Sequence, residues 1–211
     1  MKALLCTGLL LALFSLGATL QCTTCQYGLK NYCENREAHS CPADTCLKGV
    51  LDNNIFSQYR EQFNYSDCVD SQECHPGYFG FATAMRKYFR VKFTCCHSAA
   101  CIEDGFGMHP GRYGPLECPA CFSNSTTDCE SMTARRCPYK ATKCITFGGI
   151  MKQVGKSEVA AAFKGCATPD FCNYITTVPK GVMQSLNNWV SFNVNRAACF
   201  DAQSSSYTSG L

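Results

Sequence analysis

Net charge is almost absent from this sequence of 211 residues. Lysine and arginine together number 19 and aspartate and glutamate number 16, so the formal net charge is +3. A charge this small gives no reason to expect nucleic acid or anionic lipid as the main partner. The short basic run formed by Arg86, Lys87, Arg90 and Lys92 is interpreted as the solvated face of a strand.

Histidine is also scarce, and so are recognisable catalytic motifs. The four histidines, His39, His75, His97 and His109, each lack a second ligand at metal-binding spacing. The sequence contains no glycine-rich phosphate loop and no serine–histidine–aspartate arrangement that can be proposed. We therefore expect no catalytic residue, no metal site and no cofactor, and predict that the protein is not an enzyme.

Long apolar runs are missing after the first 19 residues. Met1 and Lys2 precede an apolar stretch that ends in the small residues 17–19, which is typical of a secretory signal peptide over residues 1–19. The stretch is too short to span a bilayer comfortably, and no stop-transfer charges follow it. Residues 202–211 are polar and lack the hydrophobic tail of a lipid-anchor signal. We expect a secreted, extracellular protein without a membrane anchor.

Cysteine is abundant, at 19 residues, of which Cys6 lies in the leader. The other eighteen form two sets of similar rhythm, each with an even count and each opening with C-x-x-C, which indicates an internal duplication. The first set is Cys22, Cys25, Cys33, Cys41, Cys46, Cys68, Cys74, Cys95, Cys96 and Cys101, and the second is Cys118, Cys121, Cys129, Cys137, Cys144, Cys166, Cys172 and Cys199. Zinc or redox chemistry is the alternative for the C-x-x-C pairs, but the secretory leader favours structural disulfides.

The duplication predicts two domains, 20–102 and 116–201, with a glycine- and proline-rich linker at 103–115 and a polar tail at 202–211. Each half is too short to bury a large core, so disulfides are expected to supply much of the stability. Asn64 and Asn124 begin N-x-S/T sequons and are predicted glycosylation sites.

Strands are predicted where apolar and polar residues alternate, as over 88–93 and 190–194. Residues 143–151 are predicted to form a strand that runs into a turn or bulge at Gly148 and Gly149. Residues 157–165 have a helix-like pattern, but we interpret them as strand because the matching stretch before Cys68 carries no such signal. The predicted fold class is all-β and disulfide-rich.

Residues 95–101, C-C-H-S-A-A-C, resemble the closing C-C-x4-C signature of the three-finger family that includes snake toxins and the urokinase receptor. The resemblance implies two tandem three-finger domains, each a small antiparallel sheet held by four to five disulfides. In the first domain it implies the pairs Cys22–Cys46, Cys25–Cys33, Cys41–Cys68, Cys74–Cys95 and Cys96–Cys101.

The second half of the sequence resembles a smaller group of proteins within this family. Residues 165–172 (G-C-A-T-P-D-F-C), 116–121, 143–149 and the ending 198–202, without a final C-C-x4-C, are similar to gamma-type phospholipase A2 inhibitors. Secreted courtship pheromones of the sodefrin-precursor type look similar in the same places. The implied pairs of this domain are Cys118–Cys144, Cys121–Cys129, Cys137–Cys166 and Cys172–Cys199.

Aromatic residues are concentrated in the long loops between bridges, where a disulfide scaffold can vary and bind. The candidate partner-binding residues are Phe56, Tyr59, Phe63, Tyr78 and Phe79, although about half of the aromatics in these loops are expected to pack against the sheet. The resemblance implies a secreted inhibitor that blocks a secreted phospholipase A2 sterically. The alternative is a secreted signal or pheromone that acts on a receptor. The partner is then a secreted phospholipase A2 or another extracellular protein, and homo- or hetero-oligomerisation stays open.

Overall fold

The computed structural model describes residues 20–24, 37–98, 112–130 and 133–204. Nearly all regular structure in this part is antiparallel strand, which confirms the all-β prediction. The first repeat contains β1 (Gln21–Thr24), β2 (Glu37–Ser40), β3 (Thr45–Asn53), β4 (Glu61–Val69), β5 (Gly77–Thr83), a 3-10 turn (Ala84–Arg86) and β6 (Tyr88–Cys96). The second contains β7 (Tyr113–Ser123), β8 (Thr133–Pro138), β9 (Lys143–Gln153), β10 (Val159–Ala167), α1 (Pro169–Thr177), β11 (Met183–Leu186), β12 (Val190–Asp201) and β13 (Gln203–Ser204).

Strands β1 and β2 form a sheet of their own. The other strands of the two repeats join edge to edge into one sheet with the main order β11-β12-β9-β10-β5-β6-β3-β4, while β7 pairs with β10, and β8 and β13 pair with β7. The repeats meet where β10 pairs with β5, with Gly165 opposite Thr83 and Ala167 opposite Phe81. The preceding residues of β10 pair with β7. The same edge of β10 therefore pairs first with a strand of the second repeat and then with a strand of the first repeat. Backbone hydrogen bonds therefore cross the boundary between the repeats.

The largest apolar cluster of the described residues also spans both repeats. The ring of Phe81 in β5 stacks on Phe163 of β10 with centroids 4.2 Å apart, and Phe89 of β6 meets Phe192 of β12 edge to face at 6.3 Å. Aromatic pairs at these separations stabilise beyond the area they bury. The two repeats consequently share their largest buried side chains.

The strand predictions are confirmed at three segments. Residues 88–93 and 190–194 lie in β6 and β12, and residues 157–165 contribute to strand β10 rather than to a helix. The predicted strand at 143–151 is also present, but β9 continues through Gly148 and Gly149, and the register shift lies on the partner strand β12. A Cβ atom on Gly149 would lie 2.1 Å from the carbonyl oxygen of Asn193, so a glycine is needed where this irregular partner approaches.

Helix α1 was not predicted, although its start carries a recognisable signal. The Thr168 hydroxyl accepts a hydrogen bond from the Phe171 amide, Pro169 takes the first helical position and Asp170 lies in the first turn. Each of these residues favours a helix N-terminus. In the part of the chain that the structure describes, no helix is both long and apolar enough to cross a membrane.

Seven disulfides join described residues, and their partners are those that the three-finger resemblance implies. They are Cys22–Cys46, Cys41–Cys68, Cys74–Cys95, Cys118–Cys144, Cys121–Cys129, Cys137–Cys166 and Cys172–Cys199. The implied pairs Cys25–Cys33 and Cys96–Cys101 involve residues outside the described part. The predicted leader 1–19 and most of the predicted linker also lie outside it. Strand β7 begins at Tyr113, inside the segment predicted as linker, and β13 lies inside the predicted polar tail.

Candidate functional site

A groove of about 360 Å³ lies at the junction of the repeats. Its lining combines residues of β5 and β6 with residues from the start of the second repeat. The volume is near the lower end of the range of about 300–1,000 Å³ that is usual for ligand sites. A surface of this kind exists only when both repeats are present and correctly joined.

The lining of the groove is basic and aromatic. Five cations line it, namely Arg60, Arg90, Arg112, Arg135 and Lys140. Four tyrosines line it as well, namely Tyr78, Tyr88, Tyr113 and Tyr139. Among the described lining residues there is no carboxylate. The groove is therefore more positive than the net charge of the chain suggests.

One buried carboxylate, Asp52 of β3, organises the part of the groove that belongs to the first repeat. Its Oδ1 accepts hydrogen bonds from Arg60 Nε at 3.0 Å and from the Tyr88 hydroxyl at 2.8 Å. Its Oδ2 accepts from Arg60 Nη2 and from Arg90 Nε, each at 2.9 Å, and Arg90 Nη2 also donates to it. Asp52 thus fixes two of the five cations.

The same cluster determines the ionisation of Asp52 and Tyr88. Burial alone would raise the pKa of Asp52, but the hydrogen bonds from Arg60, Arg90 and Tyr88 together outweigh it and lower the pKa below its ordinary value. Burial, assisted by the hydrogen bond to Asp52, raises the pKa of Tyr88 to about 12. At neutral pH Asp52 is charged and Tyr88 is a neutral donor.

The interpretation of the basic run as a solvated face is wrong for Arg90. Its side chain is 13% exposed because it is drawn into the ion pair with Asp52. Asp52 lies on the neighbouring strand, so the alternation of residues along β6 could not predict this ion pair.

Cations and tyrosines are also paired in the part of the groove nearest the second repeat. The Lys140 ammonium lies 5.4 Å from the ring centre of Tyr78, in the other repeat, and Arg135 and Arg112 lie 6.0 and 5.8 Å from the rings of Tyr113 and Tyr139. Cation–π contacts of this length are attractive. Each of these cations is held over a ring.

Side chains of the second repeat hold β5 in place beside the groove. The Tyr78 amide donates to Asp170 Oδ2 at 2.8 Å, and the Gly80 amide donates to Thr168 Oγ1 at 3.0 Å. Arg135 Nη1 donates to the carbonyl oxygen of Thr83 across the same junction. The N-terminus of α1 and strand β8 thereby position the first repeat.

The five predicted partner-binding aromatics differ in their exposure to solvent. Tyr59 is 78% exposed, Tyr78 is half-buried in the lining of the groove, and Phe56 is half-buried against the core. Phe63 and Phe79 are buried, at 7% and 5% exposure, so they are core residues and are withdrawn as contact candidates. Both occupy strand positions that point into the core, which aromatic abundance alone could not indicate.

Five groove residues were not predicted from the sequence, namely Arg112, Tyr113, Arg135, Tyr139 and Lys140. The run R-R-C-P-Y-K at 135–140 is a second local concentration of basic and aromatic residues and could have drawn attention to this segment. Its relation to β5 depends on pairing between the repeats and has no local signal.

Two triplets of cysteine sulfurs lie close together, Cys22, Cys41 and Cys68 in one and Cys118, Cys137 and Cys166 in the other. Every one of these sulfurs is bonded in a disulfide, so they are not the thiolate ligands that a metal requires. The predicted glycosylation sites Asn64, on edge strand β4, and Asn124, just after β7, are both exposed.

Known proteins resemble this chain over half of its length or more. It is 29% identical over 111 residues to the phospholipase A2 inhibitor 25 kDa subunit of Naja kaouthia, a match that covers 51% of this chain and 58% of that protein. It is 27% identical to phospholipase A2 inhibitor NAI of Notechis ater, covering 82% of this chain and 86% of the inhibitor. It is 25% identical to Ly6/PLAUR domain-containing protein 8 of Bos taurus, covering 79% and 73%.

Among solved structures, the crystal structure of mouse TEX101 is 20% identical and covers 87% of this chain and 99% of that one, with a TM-score of 0.35. That similarity is too low to add to the assignment. The u-PAR/Ly-6 domain model, in contrast, matches residues 18–104 and 114–206, one segment in each repeat. The chain belongs to the u-PAR/Ly-6 domain family.

Proposed function

We propose that the protein is a secreted binding protein that inhibits a secreted phospholipase A2 by steric blockade and has no catalytic activity of its own. The observation that carries the proposal is the open groove at the repeat junction, whose basic and aromatic lining suits contact with another protein. Relatives that are named phospholipase A2 inhibitors support the choice of partner.

Three tyrosines in and beside the groove supply exposed contact area. Tyr113 and Tyr139 line it with 46% and 65% of their surface exposed, and Tyr59 precedes the lining residue Arg60. Tyrosine and arginine are the residue types, with tryptophan, that most often dominate binding energy at protein interfaces. In this proposal an interface of standard size, which removes about 800 Å² of surface from each partner, covers the mouth of the enzyme's lipid channel.

We expect the purified protein to slow phospholipid hydrolysis by a secreted phospholipase A2. Changing both Tyr59 and Tyr139 to alanine should raise the inhibition constant roughly thirtyfold or more, if the pair contributes about 2 kcal/mol or more as anchors. Both side chains are exposed, at 78% and 65%, so the fold should be unaffected. Initial rates of hydrolysis at several inhibitor concentrations measure the effect.

Phe200→Ala is the matched control, because Phe200 is 49% exposed on β12 and does not line the groove. It should inhibit like the unchanged protein. Absence of inhibition across several secreted phospholipases at micromolar protein, together with saturable binding to sensory or epithelial cells, would instead support the signalling alternative.

We also propose that the secreted protein carries glycans at Asn64 and Asn124. Neither residue lines the groove, so we expect glycosylation to leave it open.

A further inference from the structure

We infer that the groove binds an acidic segment of the partner protein, with a glutamate or aspartate carboxylate among the cations and an adjacent apolar side chain against the tyrosines. The inference rests on the proposed function for the identity of the partner alone. The chemistry that it assigns to the occupant follows from the groove.

The charge of the groove lining favours an acidic occupant. Of the five cations, Arg60 and Arg90 are bonded to Asp52, while Arg112, Arg135 and Lys140 form no ion pair with any residue in the described ranges. Three positive charges therefore line a concave surface to which none of the described residues contributes a carboxylate. A concave surface of one charge sign concentrates ligands of the opposite sign.

Arg135 has a nitrogen donor without a hydrogen-bond partner among the described residues. Its Nη1 donates to the Thr83 carbonyl oxygen and its Nη2 to the Tyr113 hydroxyl at 3.4 Å, but its Nε is buried and has no hydrogen-bond partner among the described residues. Buried polar groups in proteins usually have a partner. Rotation of the Arg135 side chain toward a carboxylate in the groove would give the Nε a partner.

The exposed tyrosines distinguish a protein segment from other anions. A free phosphate ion would use the cations but would leave the exposed surface of Tyr113 and Tyr139, 46% and 65% of each residue, uncovered. An anionic membrane is a broad surface, whereas these cations lie in a groove, and a net charge of +3 gives weak attraction to it. A peptide that combines carboxylate and apolar side chains uses both parts of the lining.

The test measures binding of a short fluorescent peptide in which glutamates surround one phenylalanine, and of the same peptide with glutamine at every glutamate position. We expect the glutamate peptide to bind at least tenfold more tightly and to weaken as salt rises. The double change Arg112→Gln and Lys140→Gln should reduce its affinity at least tenfold. Both residues are exposed, so the fold should persist, and Lys180→Gln, at an exposed site outside the groove, is the control.

Each arm of the experiment decides the inference. Equal binding of the two peptides, undetectable binding at millimolar concentration, or equal loss in Lys180→Gln would overturn it. Displacement of the peptide by equimolar inorganic phosphate would also overturn it in favour of a simple anion site. Groove-dependent binding to phosphatidylserine vesicles without peptide binding would overturn it in favour of a lipid surface.

The inhibition assay separates this inference from the proposed function. Groove-dependent peptide binding by a protein that inhibits no phospholipase supports the inference and refutes the proposed function. Full inhibition by the Arg112→Gln, Lys140→Gln variant refutes the inference and leaves the proposed function standing.

Discussion

Replacing Gly165 with alanine is expected to disrupt the junction of the two repeats. A Cβ atom at this position would lie 2.1 Å from the carbonyl oxygen and 3.0 Å from the carbonyl carbon of Ala82. Both are backbone atoms of β5, so no change of rotamer relieves the contact, and the strands must move apart. We expect the free energy of unfolding to fall by about 3 kcal/mol, the upper end of the usual range for overpacking.

Urea unfolding measures the loss of stability, and binding of the fluorescent peptide measures the disruption of the junction. Gly114→Ala is the control, since its Cβ would meet nothing nearer than the Cys137 carbonyl oxygen at 3.7 Å. Its free energy of unfolding should be unchanged or higher by up to about 1 kcal/mol. Alanine normally stabilises relative to glycine when the backbone permits it, so unchanged or increased stability in Gly165→Ala would contradict the pairing of β10 with β5.

Replacing Asp52 with asparagine is expected to destabilise the fold by about 3 kcal/mol, because removal of one member of a buried ion pair leaves the other charge uncompensated. Arg90 is 13% exposed and cannot readily regain water, whereas Arg60 is 49% exposed and can. The effect should therefore lie at the lower end of the range for buried pairs. Urea unfolding at neutral pH measures it.

The acid dependence of stability gives a second measurement of Asp52. Its folded-state pKa is below the ordinary value of 3.8, so its contribution is complete above that value and is lost as the pH falls through the folded-state pKa. Asp52→Asn should remove this part of the acid-induced loss of stability. Asp201→Asn is the control, because the Asp201 side chain is 85% exposed and its pair with Lys143 should contribute less than about 1 kcal/mol. Equal acid dependence in the unchanged protein and Asp52→Asn would refute this role.

Local chemistry was sufficient to predict the strands that alternate in polarity. In β6, Phe89, Val91 and Phe93 are buried while Arg90 and Lys92 are only partly buried, so the period of two was visible in the sequence. The position of the register shift near Gly149 was not visible in the sequence, because it depends on which strand pairs with β9. The start signal of α1 at 168–170 was present in the sequence, within a segment interpreted as part of an all-β domain.

The candidate site was largely beyond prediction because its parts meet only through pairing between repeats. Tyr78 and Lys140 are far apart in the chain and come together where β5 meets the second repeat. Tyr59 and Phe63 lie in one aromatic-rich loop and strand, yet one is exposed and the other buried. Composition identifies such a region, but the face that each residue occupies is decided by the sheet.

Hydrogen exchange of backbone amides, with and without a saturating secreted phospholipase A2, tests most directly whether the groove is the inhibitory surface. We predict slower exchange in residues 78–82, 112–114 and 135–141 when the enzyme is bound, with the exposed strand β11 unchanged. Protection confined to β11 and α1, or inhibition of the enzyme with no change at the groove, would contradict the proposed mode of binding.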